Sequence, residues 1–192
     1  MTLARVIPTQ IPDVKLVELR KFSDERGYFF ESWSLEKFGA AGLPMTFVQD
    51  NQAGSVSAGT MRGLHYQQAP NAQGKLIGVI RGAIFDVAVD IRHGSPTFGR
   101  SIGVTLTAAE PARLWVPVGF AHGYVTLEPD TEVVYKVTSG YAPQAEGGIR
   151  WDDPALGIDW PIPPAEMIVN DRDRNWPRLA DAPVHFHYGA DA

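Results

Sequence analysis

The sequence predicts a mainly-β fold, an antiparallel barrel or jelly roll, on three observations. Val, Ile, Phe and Thr gather in short runs, Gly, Pro and Asp bound those runs at regular spacing, and 192 residues with 44% hydrophobic content supply one well-buried core. The first strand is expected over 14–19. One short helix follows it: Ser34 can cap 35–38, with Gly39 and Gly42 ending it. Runs over 76–80 and 83–90 read as strands joined by a tight reversal at Arg81-Gly82. Pro96 and Gly99 separate them from a strand over 102–106, Pro111 precedes one over 114–116, and Pro117 and Gly119 stand before the last, 131–137. From Trp151 onward the chain is rich in Pro, Asp and Trp, too irregular for a strand ladder and too aromatic for disorder, so this tail is expected to pack over the barrel. With no repeat, low-complexity stretch or linker, residues 1–192 read as a single domain.

Composition narrows the classes of function. The chain carries 17 basic and 22 acidic residues, a net charge of −5, and no basic run that could neutralise a train of phosphates. Nucleic-acid polymers and anionic membranes are therefore not expected as partners. Small anionic ligands stay open, because two or three placed arginines bind them whatever the overall charge. The absence of cysteine removes disulfides, thiolate metal sites and cysteine nucleophiles. Residues 1–14, with Arg5, Pro8 and Pro12, lack the apolar block of a secretory signal, and no run reaches membrane-spanning length, so a soluble, cytoplasmic protein is the expectation.

Polar side chains on the inward face of a small barrel need a reason. His65 lies between Leu64 and Tyr66, after a Gly- and Ser-rich stretch over 51–59; Lys75 directly precedes the strand over 76–80. Asp86 and Asp90 stand an even number of residues apart in an otherwise apolar strand, His122 lies in the glycine-flanked run 119–124, and Tyr135-Lys136 closes the strand from Thr131. Each alone has an ordinary explanation: a lone histidine is more often structural, a lysine after glycine a solvated loop charge, a strand tyrosine a packing residue. Together they are the set needed for proton transfer beside a carbonyl. A base with a reference pKa near ~6.5 takes the proton, a cation stabilises the enolate, and a phenol returns a proton to carbon. The segment 62–67 thus reads as the centre of an active site with His65 as general base. His185-Phe186-His187 has the two-histidine spacing of small metal-binding jelly rolls, but Pro183 weakens a strand there and no acidic or histidine partner follows within a strand pattern, so metal binding is the minority reading.

Over residues 22–179 the chain resembles the dTDP-4-dehydrorhamnose 3,5-epimerases. The matching strings are DERGYFFE at 24–31, QDN at 49–51, RGLHYQ at 62–67, QGKL at 73–76, FDVAVDIR at 85–92, SPTFG at 95–99, PVGFAHG at 117–123, YK at 135–136 and WDDP at 151–154. One such string is weak; this many in order are highly specific. The resemblance implies a metal-free, cofactor-free jelly roll of the cupin type, active as a homodimer on a dTDP-4-keto-6-deoxyhexose. It implies His65 as proton acceptor, Tyr135 as proton donor on the opposite face of the sugar, and Lys75 beside the C4 oxygen. Arg62 and Arg26 would grip the pyrophosphate, for which the guanidinium fork is suited. Glu31, Gln49, Asp50 and Asn51 would hold the nucleotide, Tyr141 would stack on the ligand, and His122 and Glu146 would complete the pocket.

Two stretches depart from the family pattern. Where the family has Ser-x-Lys-Asp, this chain has Asn170-Asp171-Arg172-Asp173, keeping the final Asp. Asp173 is therefore the expected carboxylate partner of His65, with Asp171 as second choice, and Arg172 stands where the family lysine meets ligand. The loop between Asn51 and Arg62, with Gly54 and Ala58, is also one residue longer than usual. Rival readings are an epimerase acting at C3 or C5 alone, a non-catalytic nucleotide-sugar binding module, whose signature would be loss of His65 or Tyr135, and a metal-dependent cupin enzyme.

Overall fold

The computed structural model describes residues 4–43 and 46–189. In chain order its elements are β1 (Ala4–Pro8), β2 (Lys15–Leu19), β3 (Phe22–Asp24), β4 (Gly27–Phe29), helix α1 (Leu35–Ala40), β5 (Gln49–Ser55), β6 (Met61–Gln67), β7 (Lys75–Arg81), β8 (Ala83–Asp90), β9 (Arg92–His93), β10 (Ser101–Thr107), β11 (Ala112–Val116), β12 (Phe120–Thr126), β13 (Thr131–Val137), β14 (Glu146–Gly148), helix α2 (Asp171–Arg174) and β15 (Phe186–His187). Eleven of the strands form two antiparallel sheets, ordered β1-β2-β11-β7-β13-β5 and β10-β8-β12-β6-β14. Each expected strand matches one of these, the first beginning one residue before β2.

The sheets face each other across a core that follows from strand alternation. Ile77, Val79, Leu114, Val116 and Val133 of one sheet meet Ile84, Ala88, Leu106 and Phe120 of the other. The outer face of the five-stranded sheet, through Leu64, Tyr66, Val87 and Val89, is covered by Ile149, Trp151, Leu156, Val169 and Phe186, so the irregular tail packs as expected. Phe186 pins its end, and loss of such a buried ring costs about 3–5 kcal/mol. Helix α1 covers part of the opposite outer face with Phe38 against Leu76 and Trp115. Among the described residues no helix is long and apolar enough to cross a membrane.

Beyond the short edge strands and β6, which the sequence reading did not assign, other details differ from the sequence expectation. The jelly roll is not a closed barrel: the two sheets share no strand pairing, and the gap between edge strands β5 and β14 is where the cavity described below opens. Polar side chains of both edges line that gap in place of a hydrogen-bond ladder. β5 is a strand although it reads Gln-Asp-Asn-Gln-Ala-Gly-Ser, because its full ladder to β13 holds a run with little hydrophobic signal of its own. β12 is buried along all seven residues between β8 and β6, so its histidine and glycine sit where no periodicity announces them. Ser34 does cap α1, but Gly39 lies inside the helix and Gly42, with φ +69°, marks its end.

Candidate active site

β6 and β12 are drawn unusually close where the site begins. Gly63 has φ +133°, and a Cβ there would stand 2.6 Å from Gly123 Cα; one on Gly123 would stand 2.6 Å from Arg62 O. The register of the pair shifts between His122 and Tyr124, and the bulge sets His65 opposite His122 and Arg62 opposite Tyr124. The Gly63 N–H is thereby freed from the ladder and donates to Asp173 Oδ2 at 3.1 Å, while His65 Nε2 meets Asp173 Oδ1 at 2.7 Å.

Asp173 itself is 1% exposed and reaches the site from α2, whose N-cap Asn170 accepts the Asp173 N–H at 2.7 Å. Burial alone would raise this carboxyl, but the hydrogen bond and charge of His65, the Gly63 N–H and Arg172 together outweigh it and hold the pKa below the usual carboxylate value. Asp171 lies on the exposed side of the same short helix. With ionised Asp173 as acceptor, His65 Nε2 carries the ring proton and Nδ1 is left as the basic nitrogen. Trp176 stands edge-on to the imidazole, with ring centroids 6.2 Å apart, and walls its other side.

Two adjoining cavities of about 310 and 260 Å³ share His65, Lys75, Tyr135, Tyr141 and Glu146. The first adds Gln49, Asn51, Gln67 and Gln73; the second adds Arg62, His122, Tyr124, Asn170, Arg172 and Asp173. Lys75, at the start of β7, sends its ammonium toward the His65 carbonyl, 3.4 Å away. Burial lowers its pKa to about 8, against the opposing pull of Asp86 and Glu146. His122 is pushed down by burial and countered by Asp86, whose Oδ1 it meets at 2.6 Å. Tyr135, on the opposite sheet, has its phenol pKa raised mainly by burial, so it is a protonated donor at neutral pH.

The mouth is a polar relay. The Tyr141 hydroxyl donates to Glu146 Oε2 at 3.3 Å, Arg172 donates to the same oxygen at 2.8 Å, and the Tyr141 N–H donates to Gln49 Oε1, whose amide in turn donates to Asn51 Oδ1. Arg62 extends along this wall and donates to the Gly54 carbonyl at 3.0 Å.

Three sequence candidates are not brought to this cavity. Asp50 points to the outer face of β5 and pairs with Lys136 at 2.8 Å, because alternation puts Gln49 and Asn51 inward and Asp50 outward. Glu31 is paired with Lys37 of α1. Arg26 sits at the tip of the β3–β4 hairpin, paired with Asp24 and 84% exposed. Conversely, the sequence flagged Asp86 without giving it a role and left Tyr124, Asn170 and Trp176 out of the site. The carboxylate in an apolar strand was a usable signal for Asp86; a tyrosine in an apolar run gave none for Tyr124. Asp90, on the same face as Asp86, is occupied by Arg92, Ser95 and Thr97 and closes the strand end. Phe186–His187 pairs with β9, and among the described residues no cluster of three His, Asp or Glu could hold a metal ion.

Comparison with known proteins adds three findings. Residues 8–181 match the family model described as dTDP-4-dehydrorhamnose 3,5-epimerase. Relatives of that name include one from Sinorhizobium fredii, 47% identical over 178 residues (93% of this chain, 91% of the relative), and one from Salmonella typhimurium, 52% identical over 158 residues (82% and 86%). The crystal structure of dTDP-6-deoxy-D-glucose-3,5-epimerase from Legionella pneumophila, in complex with dTDP-4-keto-L-rhamnose, superposes with a TM-score of 0.92 at 40% identity, covering 97% of this chain and 100% of that one.

Proposed function

Because the chain belongs to the dTDP-4-dehydrorhamnose 3,5-epimerase family, isomerases of a dTDP-linked 4-keto-6-deoxyhexose, we propose that the cavity between β6 and β13 carries out that epimerisation by proton transfer across the sugar ring. The observation that carries this reading is the His65–Asp173 pair, 2.7 Å apart, in one cavity with Lys75 and Tyr135. The C4 ketone acidifies the hydrogens at C3 and C5. His65 Nδ1 takes one of them, the electron pair moves onto the C4 oxygen as an enolate, and the Lys75 ammonium stabilises the charge. The enolate collapses by taking a proton at the same carbon from the Tyr135 hydroxyl on the other face, which inverts the centre. Acid and base contribute about 10²–10⁴-fold each. No cofactor enters the scheme, since the substrate's own ketone is the electron sink.

In the same reading Arg62 and Arg172 bind the diphosphate, Gln49, Asn51 and Tyr141 hold the nucleotide, and His122, bonded to Asp86, and Glu146, bonded to Arg172, complete the pocket. A cytoplasmic homodimer belongs to it as well. A cysteine-free chain needs no oxidising compartment, and the β3–β4 hairpin exposes Phe22, Tyr28 and Phe29 beside Arg26. A second copy that buried this hairpin would bring Arg26, and with it Glu31, to the neighbouring cavity; sedimentation as a monomer at all concentrations would retire that part.

The test is incubation with dTDP-4-keto-6-deoxyglucose in deuterated water. Deuterium at both C3 and C5 is expected with the native chain and at neither carbon with His65→Ala; retention of exchange in that variant would overturn the assignment.

A further inference from the structure

On the outer face of the six-stranded sheet lies a cavity of about 380 Å³ lined by Ser32, Asp50, Gln52, Leu76, Arg113, Val134 and Lys136, and also by Asn51 and Tyr135 of β5 and β13, which line the catalytic cavities as well. Arg113 is 5% exposed, yet among the described residues no carboxylate is paired with it. Among the described residues its one hydrogen bond runs from Nη1 to the carbonyl of its own neighbour Ala112 at 2.8 Å, and its one ring contact is with Phe30 at 5.8 Å. The carboxylate that lines the cavity with it, Asp50, is engaged with Lys136.

The sheet is shaped for this guanidinium. β11 pairs with β7 so that Arg113 stands beside Gly78, and a Cβ on Gly78 would lie 2.2 Å from Arg113 Nη1. The glycine thus leaves a slot in which the side chain lies flat across the strand toward Val134. Burial pulls the pKa of Arg113 down with no opposing charge to restore it. A buried charge without a partner is costly, and a guanidinium has further N–H donors in a fork that matches a tetrahedral oxyanion.

We infer that the Arg113 slot, on the opposite face of the sheet from Lys75, is an anion site that takes a phosphate group, free or as a phosphate ester. Lys136, already neutralised by Asp50, leaves Arg113 as the uncompensated charge on the cavity wall. The site lies on the back of the strands that present Lys75 and Tyr135, since β7 turns Lys75 inward and Leu76 outward and β13 turns Tyr135 inward and Lys136 outward. Occupancy would therefore be felt by the catalytic face through two shared strands.

The test is calorimetric titration of the full chain with inorganic phosphate, with the catalytic cleft first saturated with dTDP, and repetition with glucose 1-phosphate to separate free phosphate from an ester. The native chain should bind one phosphate per chain, Arg113→Met should weaken binding at least tenfold, and Gly78→Ala should weaken it similarly by displacing the guanidinium. Arg62→Ala, in the other cavity, should leave the Arg113 site's affinity unchanged. Without phosphate, Arg113→Met should melt at or above the native temperature, because a methionine removes a buried uncompensated charge; a purely structural arginine would instead be missed. Equal phosphate binding by native and Arg113→Met chains overturns the inference. So does a native chain that binds none while Arg113→Met dissociates an oligomer, which would assign the arginine to a carboxylate of a second copy.

Discussion

Replacing Asp173 by Asn tests the centre of the mechanism, because the geometry dictates how the new side chain must sit. In the native chain both carboxylate oxygens are acceptors, one for the Gly63 N–H and one for the His65 ring. Asparagine has one acceptor. If its oxygen stays with Gly63, its NH₂ faces His65 Nε2, which must then be the acceptor, and the ring proton moves to Nδ1, the nitrogen that should receive the substrate proton. The reverse orientation sets NH₂ against the Gly63 N–H, two donors in a site that is 1% exposed. Restoring the productive tautomer therefore costs at least a charge-assisted hydrogen bond, about 1.5–3 kcal/mol, or roughly 10- to 150-fold in rate. The equivalent change in a Ser-His-Asp triad costs about 10⁴-fold. We expect Asp173→Asn to lower kcat by about 10²–10⁴-fold with KM within about threefold, measured by proton NMR of deuterium incorporation at C3 and C5. Asp171→Asn, on the exposed side of α2, should be near native. A kcat for Asp173→Asn within threefold of native would refute the orienting role.

Further expectations follow from the same geometry. Lys75 loses its charge as pH rises through about 8, so kcat should fall on the basic side with that midpoint, and Lys75→Arg should move the limb upward or abolish turnover. The sign for stability is opposite: between about 8 and 10.5 the unfolded chain holds this proton more tightly than the folded one, so this group's contribution to stability rises with pH, as denaturant titrations at several pH values can check. Gly63→Ala places a Cβ against Gly123 Cα and strains a φ of +133°, and should destabilise the chain by more than about 2 kcal/mol in thermal melts, with activity lost in parallel. Arg62→Ala should weaken dTDP binding about 10- to 150-fold in calorimetry, the loss of one charge-assisted contact, with little change in melting temperature because, among the described residues, its side chain is hydrogen-bonded only to Gly54 and Ser55.

Much of the fold was legible because burial leaves a local signature. β7, β8 and β13 pack at least one apolar face into the core and read as strands from their β-branched runs. β5 did not, because its inward positions, Gln49 and Asn51, line a polar cavity and the strand is held mainly by its ladder to β13. β12 escaped for the opposite reason: buried on both faces, it has no alternation to detect. The same logic separates the site residues. His65, Lys75 and Tyr135 attract notice as polar groups among apolar ones, whereas Tyr124 looks like packing until Arg62 and Asp86 are found directly across from it. Arg113 carries no signal at all in sequence, since an arginine in a strand is ordinarily a solvated one.

The sequence by itself determined the mainly-β class, and it marked His65 with its neighbours. These depend on composition and on the two-residue period of a strand, both local quantities. Only the tertiary structure decided that Asp173 and not Asp171 meets His65, that Asp50 faces away while Gln49 and Asn51 face in, and that the two sheets stay open where the cavity needs a mouth. Each of those depends on how the tail docks across the five-stranded sheet and how β5 registers on β13. The His65–Asp173 contact spans 108 residues of chain, and no local pattern encodes which side of a four-residue helix will be pressed against a bulged strand.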